Sequence, residues 1–446
     1  MRHLVTSMIG RVALWAAKLR GGGSAFPGLI VEKIDGKYLQ RLLRDLPHGV
    51  VVVSGTNGKT TTTKMVVELL ESRGLRVFTN KTGSNYSRGV IAAALGEINW
   101  RGDLQADVAV LELDEAHAKY FIAKVKPRHT LLLNVLRDQL DRFGELDTTA
   151  QLLRNIVEAT TGSVTVDAHD PLLRKIGAEI REAGRVKVSE FGVTKSLAHL
   201  FPTDHELRAF GAALDSFQND PAAEPNATLK SKAAKCKNAV VLLEIGEKVA
   251  YQISGQRYET PLKLNGLYNF FNAAAALTTA RQVLADTDNE ATPEELLTAL
   301  AEILPAFGRG EQLLLDGVET ELVLVKNPAA FRLVLTSFDS ENTAKMFVIN
   351  DEAADGRDMS WLWDVDFTGL RDGGVAVVSG LRCWDMALRL EHDEVVFDSV
   401  EPDLKRALQI FRSESKGQKR RIYCTYTAML QMRRLLSEIT DVKKVW

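Results

Sequence analysis

Cysteine is scarce in this chain: three in 446 residues, and Cys236, Cys383 and Cys424 stand far apart. That spacing excludes a disulfide framework and any paired-cysteine metal motif, and it fits a reducing cytoplasm. None of the three lies in a Gly-x-Cys-x-Gly turn; their flanks are Lys235 and Lys237, Arg382 and Trp384, Tyr423 and Thr425. A nucleophilic cysteine presented on such an elbow is therefore not expected here. Long apolar runs are also missing, since no stretch reaches the roughly 20 residues that span a bilayer. Nor is there an excess of charge of one sign. Lys and Arg number 56 against 58 Asp and Glu, a net charge of −2, which gives no support for nucleic acid as a general partner.

What is present begins with an ordinary globular composition, 45% apolar and 26% charged, and a length that suggests two to four domains. The most informative stretch is Val50-Val51-Val52-Val53-Ser54-Gly55-Thr56-Asn57-Gly58-Lys59-Thr60-Thr61-Thr62. A β-branched run, a glycine turn and a helical pattern (Met65, Val66, Leu69, Leu70) form the context of a phosphate-binding loop. Gly55 and Gly58 let backbone N–H groups turn toward one anion, and the helix N-terminus adds partial positive charge. Lys59 is suited to the outer phosphates and the Thr60 hydroxyl to magnesium. A nucleotide site is expected over Gly55, Thr56, Asn57, Gly58, Lys59, Thr60 and Thr61.

Before this loop, residues 1–48 form a basic amphipathic segment. Arg2, Arg11, Lys18 and Arg20 accompany Val5, Met8, Ile9, Val12, Trp15 and Leu19 at helical spacing. Two readings stand: a helix lying on an anionic membrane surface, or one packed on the protein body. After the loop, apolar strands alternate with helical stretches, as in a doubly wound α/β domain. Predicted strands cover 50–53, 76–79, 108–113 and 130–134. The third ends among Glu112, Asp114 and Glu115; at the carboxyl end of a strand beside the loop, Glu112 is the expected magnesium ligand. Acidic capping of the next helix is the other reading of that cluster. Residues of about 195–238 read as a poorly structured insertion. Strands at 240–243, 248–253 and 258–264 alternate like a meander. From 305 to 446 a second, smaller α/β domain is expected. It carries an acidic loop, Asn350-Asp351-Glu352-Ala353-Ala354-Asp355-Gly356-Arg357-Asp358-Met359-Ser360, followed by Trp361 and Trp363.

Ser54-Gly55-Thr56-Asn57-Gly58-Lys59-Thr60-Thr61 resembles the loop of the Mur ligases, which activate a carboxylate with ATP and join it to an amine. The resemblance implies a central Mur-ligase ATP-binding domain over 49–304 and a Rossmann-like domain over 305–446. It implies that Asn269 and Asn272, in Gly-Leu-Tyr-Asn-Phe-Phe-Asn, reach the adenine, a task suited to amides that both donate and accept. Arg309, in Phe-Gly-Arg-Gly-Glu, would touch the nucleotide. Gln139 stands where His is usual in the Asn134–Gly144 segment, which puts one metal ligand in doubt. Of the two cysteine pairs that related chains carry in the insertion, only Cys236 remains, so zinc is not expected.

Lys326-Asn327-Pro328-Ala329, the Asp-Gly-Arg-Asp loop and Arg137-Asp138-Gln139-Leu140-Asp141-Arg142-Phe143 together resemble the MurT family, synthetase subunits of lipid II isoglutaminyl synthase. That resemblance implies ATP-dependent amidation of the α-carboxylate of D-glutamate in the lipid II stem peptide. It implies a class I glutaminase partner of the GatD type, a lipid-linked muropeptide substrate, and work in the cytoplasm, at the inner face of the membrane. Asp358 would complete the partner's Cys–His pair, with Asp351, Asp355 and Asp364 as local competitors on charge alone. Lys59→Ala is expected to stop turnover and spare the fold. A single-chain amino-acid ligase of the folylpolyglutamate synthase kind is the alternative activity, and a nucleotide-dependent adaptor the non-enzymatic one.

Overall fold

The computed structural model describes residues 2–19, 25–80, 86–136, 146–198, 200–201, 239–264, 266–304, 309–337 and 342–442. Gln139 with its neighbours 137–145, the loop 81–85, Cys236 and the insertion from 202 to 238 lie outside the described residues. The described residues form two compact units. One holds those up to Ile303 apart from Leu264 and Gly266; the other holds these two and everything from Leu304 on.

The first unit opens with three helices, α1 (Arg2–Leu19), α2 (Phe26–Ile34) and α3 (Tyr38–Arg44). Then come β1 (Val50–Ser54), α4 (Lys59–Glu71), β2 (Val77–Thr79), α5 (Ser87–Leu95), β3 (Val108–Glu112), α6 (Glu115–Ile122) and β4 (His129–Leu132). Strands β5 (Ser163–Asp167), β6 (Lys187–Val193), β7 (Val240–Ile245), β8 (Val249–Ile253) and β9 (Gln256–Thr260) complete a sheet in the order β2-β3-β1-β4-β5-β6-β7-β8-β9. It is parallel from β2 to β7 and antiparallel from β7 to β9. Every residue of β1 is buried, as expected of a parallel strand covered on both faces. Its place between β3 and β4, third from the β2 edge, puts the loop after it on the sheet's carboxyl edge between two parallel neighbours.

The opening helices pack closely because their contact residues are small. A Cβ on Gly10 of α1 would fall 2.6 Å from Leu95 and 2.7 Å from Val31, and one on Gly28 of α2 only 1.9 Å from the Arg88 carbonyl oxygen. Ser7 and Tyr38 share a buried hydrogen bond of 2.9 Å between α1 and α3. Of the two sequence readings, the packed helix therefore describes one face of α1.

In the second unit β10 (Arg309–Leu315), β11 (Val318–Leu324), β12 (Thr343–Val348), β13 (Val375–Ser379), β14 (Phe397–Glu401) and β15 (Lys419–Cys424) form a sheet ordered β10-β11-β15-β12-β13-β14. All neighbours are parallel except β10 and β11. Phe331, Phe347, Phe367 and Tyr423 pack ring to ring in one core; Met346, Ile422, Met429 and Met432 belong to another. Both units are open α/β sheets, which agrees with the fold class expected.

Candidate functional site

The loop after β1 is held by the segment that follows β4. Thr56 N–H donates to the Asn134 carbonyl (3.1 Å), and the Thr56 hydroxyl bonds both the N–H and the carbonyl of Leu136 (3.0 and 3.1 Å). Asn57 N–H donates to the Asn134 side-chain oxygen (2.8 Å), while the Asn134 amide donates to the Asn57 carbonyl (3.1 Å). Asp170 fixes that segment in turn, accepting from Val135 N–H at 2.7 Å and capping the next helix through Leu172 and Leu173 N–H. Burial pushes the carboxyls of Asp167 and Asp170 upward, Asp167 well above the usual range with Asp170 adding to it. Two further chain segments, 134–136 and the turn at Asp170 behind it, thus fix the shape of the loop, a form of preorganisation that spares a ligand the entropy of ordering it.

Within the loop Gly55 and Gly58 have φ of +131° and +85°, values that side-chain-bearing residues rarely adopt. A Cβ on Gly55 would meet Asn134 backbone at 3.0 Å, and one on Gly58 would meet the Asn272 side-chain oxygen at 2.7 Å. Asn272 therefore backs the turn from the helix Leu267–Leu284, with Asn269 half-buried one turn earlier. Thr60 and Thr61 lie in the first turn of α4. The Lys59 ammonium donates to the Gly55 and Thr56 carbonyls (2.5 and 3.2 Å) and pairs with Glu115 at 3.3 Å, both side chains being buried.

Glu115 was not singled out from its acidic neighbours in the sequence. The three carboxylates have different places: Asp114 caps α6, Glu115 pairs with Lys59, and Glu112 ends β3 with its backbone clasped by the Asn80 amide (2.9 and 3.0 Å). Thr60 and Glu112 offer oxygen donors, the set a hard cation prefers. Among the described residues no three His, Cys, Asp or Glu side chains gather as a metal group. Magnesium bound chiefly through phosphates and water needs only one or two protein oxygens, so this donor set fits it.

In the second unit the acidic loop follows β12. Asn350 anchors its start, donating from N–H to the Thr425 hydroxyl (2.9 Å) and accepting from Leu381 N–H (3.0 Å). Asp351 pairs with Arg382 at 2.7 Å. Asp355 is buried and accepts from Thr427 N–H at 2.7 Å and from the Thr427 hydroxyl. Asp358 is exposed, accepts from Ser360 N–H at 2.9 Å, and has its carboxyl held below the usual range by Ser360. Geometry thus separates carboxylates that charge alone could not. Beyond the loop Trp361 is buried and Trp363 is half exposed, its ring edge-on to His392 at 5.3 Å. Leu381, Trp384 and Leu388 are about 60% exposed (62%, 64% and 57%). Trp384 and Leu388, with His392, form a stripe along the helix Cys383–His392, one turn between successive members, and Leu381 stands in the turn two residues before that helix. Arg309 opens β10; its side chain lies outside the described set, so its expected nucleotide contact has no geometry here.

The Mur ligase middle domain matches residues 53–280, and the MurT ligase C-terminal domain matches residues 324–429. The chain belongs to the Mur ligase family, whose members are ATP-dependent ligases. Within that class it is similar, 28% identical over 98% of its own length and 97% of the relative's, to the MurT subunit of lipid II isoglutaminyl synthase (glutamine-hydrolyzing) from Streptococcus pneumoniae. Among solved structures it resembles the MurF ligase of Thermotoga maritima in complex with ADP, with a TM-score of 0.63 at 16% identity, covering 92% and 83% of the two chains. Mycobacterium tuberculosis folylpolyglutamate synthase, complexed with ADP and AMPPCP, gives 0.60 at 14%, covering 97% and 96%. At such identities these two likenesses speak for the fold alone.

Proposed function

We propose that this chain is the synthetase subunit of a glutamine-dependent amidating enzyme that converts the α-carboxylate of D-glutamate in the lipid II stem peptide to the amide of D-isoglutamine. The site at the end of β1 binds ATP through Gly55 to Thr61, with Asn269, Asn272 and Arg309 contributing to the nucleotide. A carboxylate oxygen attacks the γ-phosphorus and ADP leaves; ammonia then attacks the acyl carbon and phosphate leaves. Lys59 offsets the charge that gathers on the transferring phosphoryl group. Magnesium, held by Thr60 and Glu112, would supply further charge neutralisation there.

Neither cysteine among the described residues is suited to releasing ammonia from glutamine. Cys383 and Cys424 are buried, and burial raises both thiols above their ordinary range, the opposite of what an attacking thiolate requires. A class I glutaminase of the GatD type, joined in a heterodimer, would supply the ammonia. The observation that carries this reading is Asp358: an exposed carboxylate, ionised at neutral pH and bonded to the local turn at Ser360, in the same unit as the exposed Leu381, Trp384 and Leu388. Exposed tryptophan at such a density is what interface centres use. A carboxylate arriving from this surface would accept the N–H of the partner's histidine, fix its tautomer and stabilise the imidazolium. The substrate carries a lipid, which sets the reaction in the cytoplasm at the inner face of the membrane.

The test is Asp358→Asn in the reconstituted complex. The expected result is an assembled heterodimer that still amidates with added ammonium but loses most glutamine-dependent activity. Persistence of glutamine-dependent activity would exclude the shared triad. Loss of ammonium use as well would assign Asp358 to the synthetase chemistry instead.

A further inference from the structure

Helix α1 is built inside out. A surface helix ordinarily buries its large apolar side chains and shows small or polar ones to water. Here the buried residues are Thr6, Ser7 and Gly10, with Leu14 packed behind them. The large residues point outward: Met8, Val12, Trp15 and Leu19 are each more than 60% exposed (61%, 65%, 64% and 67%), and Leu4, Val5 and Ile9 are exposed beside them. At 100° per residue these seven positions occupy one arc of about 140°, centred opposite the packed face.

The helix cannot roll to hide them. Gly10 fits against Leu95 and Val31 with no room for a Cβ, and Ser7 is bonded to Tyr38. The charges are as one-sided as the apolar groups. Arg11 and the position of Lys18 border one edge of the arc, and the position of Arg2 borders the other. Helix α1 contains no acidic residue, and the first in the whole chain is Glu32. In a protein of net charge −2, this end is a local concentration of cations.

We propose that α1 is an in-plane membrane anchor, whose outer arc enters the boundary between head groups and acyl chains of an anionic bilayer. Its flanking cations then face lipid phosphates. An apolar arc rimmed by basic residues on a helix too polar to span is the arrangement that binds this way; among the described residues no helix is long and apolar enough to cross a membrane. A protein partner would fit the apolar groups equally well, but basic positions at both edges of the arc, with no acidic residue on the helix, favour lipid phosphate. This surface extends the reaction proposed above, yet it is read from the helix alone and can be measured without turnover.

The test is flotation of the full chain with vesicles of equal parts phosphatidylglycerol and phosphatidylcholine, against vesicles of phosphatidylcholine only. The chain is expected to float with the anionic vesicles and to be released by high salt. Combined Val12→Asp and Trp15→Asp should reduce binding by roughly tenfold or more, and Arg11→Glu by roughly tenfold. Because these side chains face outward, thermal unfolding of both variants should match the parent, which separates lost binding from lost folding. The Trp15→Phe protein should lack a blue shift in fluorescence that the parent shows on adding anionic vesicles. Absence of flotation by the parent, or flotation undiminished in the double variant, would overturn the proposal. So would concentration-dependent self-association that the double variant abolishes in the absence of vesicle binding, since the arc would then be a contact between copies. Turnover on a lipid-free muropeptide should be equal in parent and double variant; a loss there would concern the catalytic reading rather than the anchor.

Discussion

Lys59 and Glu115 bear most directly on how the nucleotide site behaves. The lysine was legible at once, because its neighbours in sequence are its neighbours in space. Its partner was not: the two are 56 residues apart and meet only because β1 and β3 pair with Val53 opposite Glu112. That pairing changes an expectation. Lys59→Ala removes a charge from the phosphates but also takes a cationic partner from a buried carboxylate, a loss on the order of 2 kcal/mol. The single variant is therefore expected to melt earlier as well as to lose roughly a hundredfold or more of its ATP turnover. Adding Glu115→Gln should restore the melting temperature and leave turnover lost. Recovery of turnover in the double variant, read as ADP release, would remove Lys59 from the chemistry.

At the scale of elements, β4 shows what local pattern can and cannot tell. Its apolar run was readable, but His129 at its head is fixed by register: it sits opposite Ser163 of β5 and shares a 2.8 Å hydrogen bond with it. Burial lowers the imidazole to about 4, against about 6.5 in an unfolded chain. Between those values the unfolded chain binds a proton that the folded one refuses. The contribution of His129 is thus fully present above about pH 6.5 and is lost as pH falls toward 4, on the order of 3 kcal/mol. Denaturant midpoints measured across this window should fall with acid, and His129→Gln should flatten the slope. An unchanged slope would mean that other groups carry it. The same limit explains the strands that pattern reading left out. β6 begins with an exposed lysine, and β14, at the edge of its sheet, has no fully buried residue, so neither announces itself by alternation.

For the whole molecule, the two units had different legibility. Motifs revealed the first, since a phosphate loop compresses strand, turn and helix into a dozen residues. The second became readable as a surface only once its chain was folded, because the helix Cys383–His392 packs on the Ser360–Asp364 turn and sets Trp363 edge-on to His392, at the end of the stripe formed by Trp384 and Leu388. If this surface joins the glutaminase, Trp384→Asp should abolish heterodimer formation in size-exclusion chromatography without lowering the melting temperature of the isolated chain. A complex of unchanged size would place the partner elsewhere.

The acidic loop divides its labour in a way that reaches beyond one protein. Asp351 and Asp355 hold the loop in place, while Asp358 engages only the turn that Ser360 closes. Folding therefore makes little demand on Asp358. In a lineage that lost its glutaminase, drift would erode that position first and leave Asp355 in place, so the pair would serve as a fossil record of the partnership.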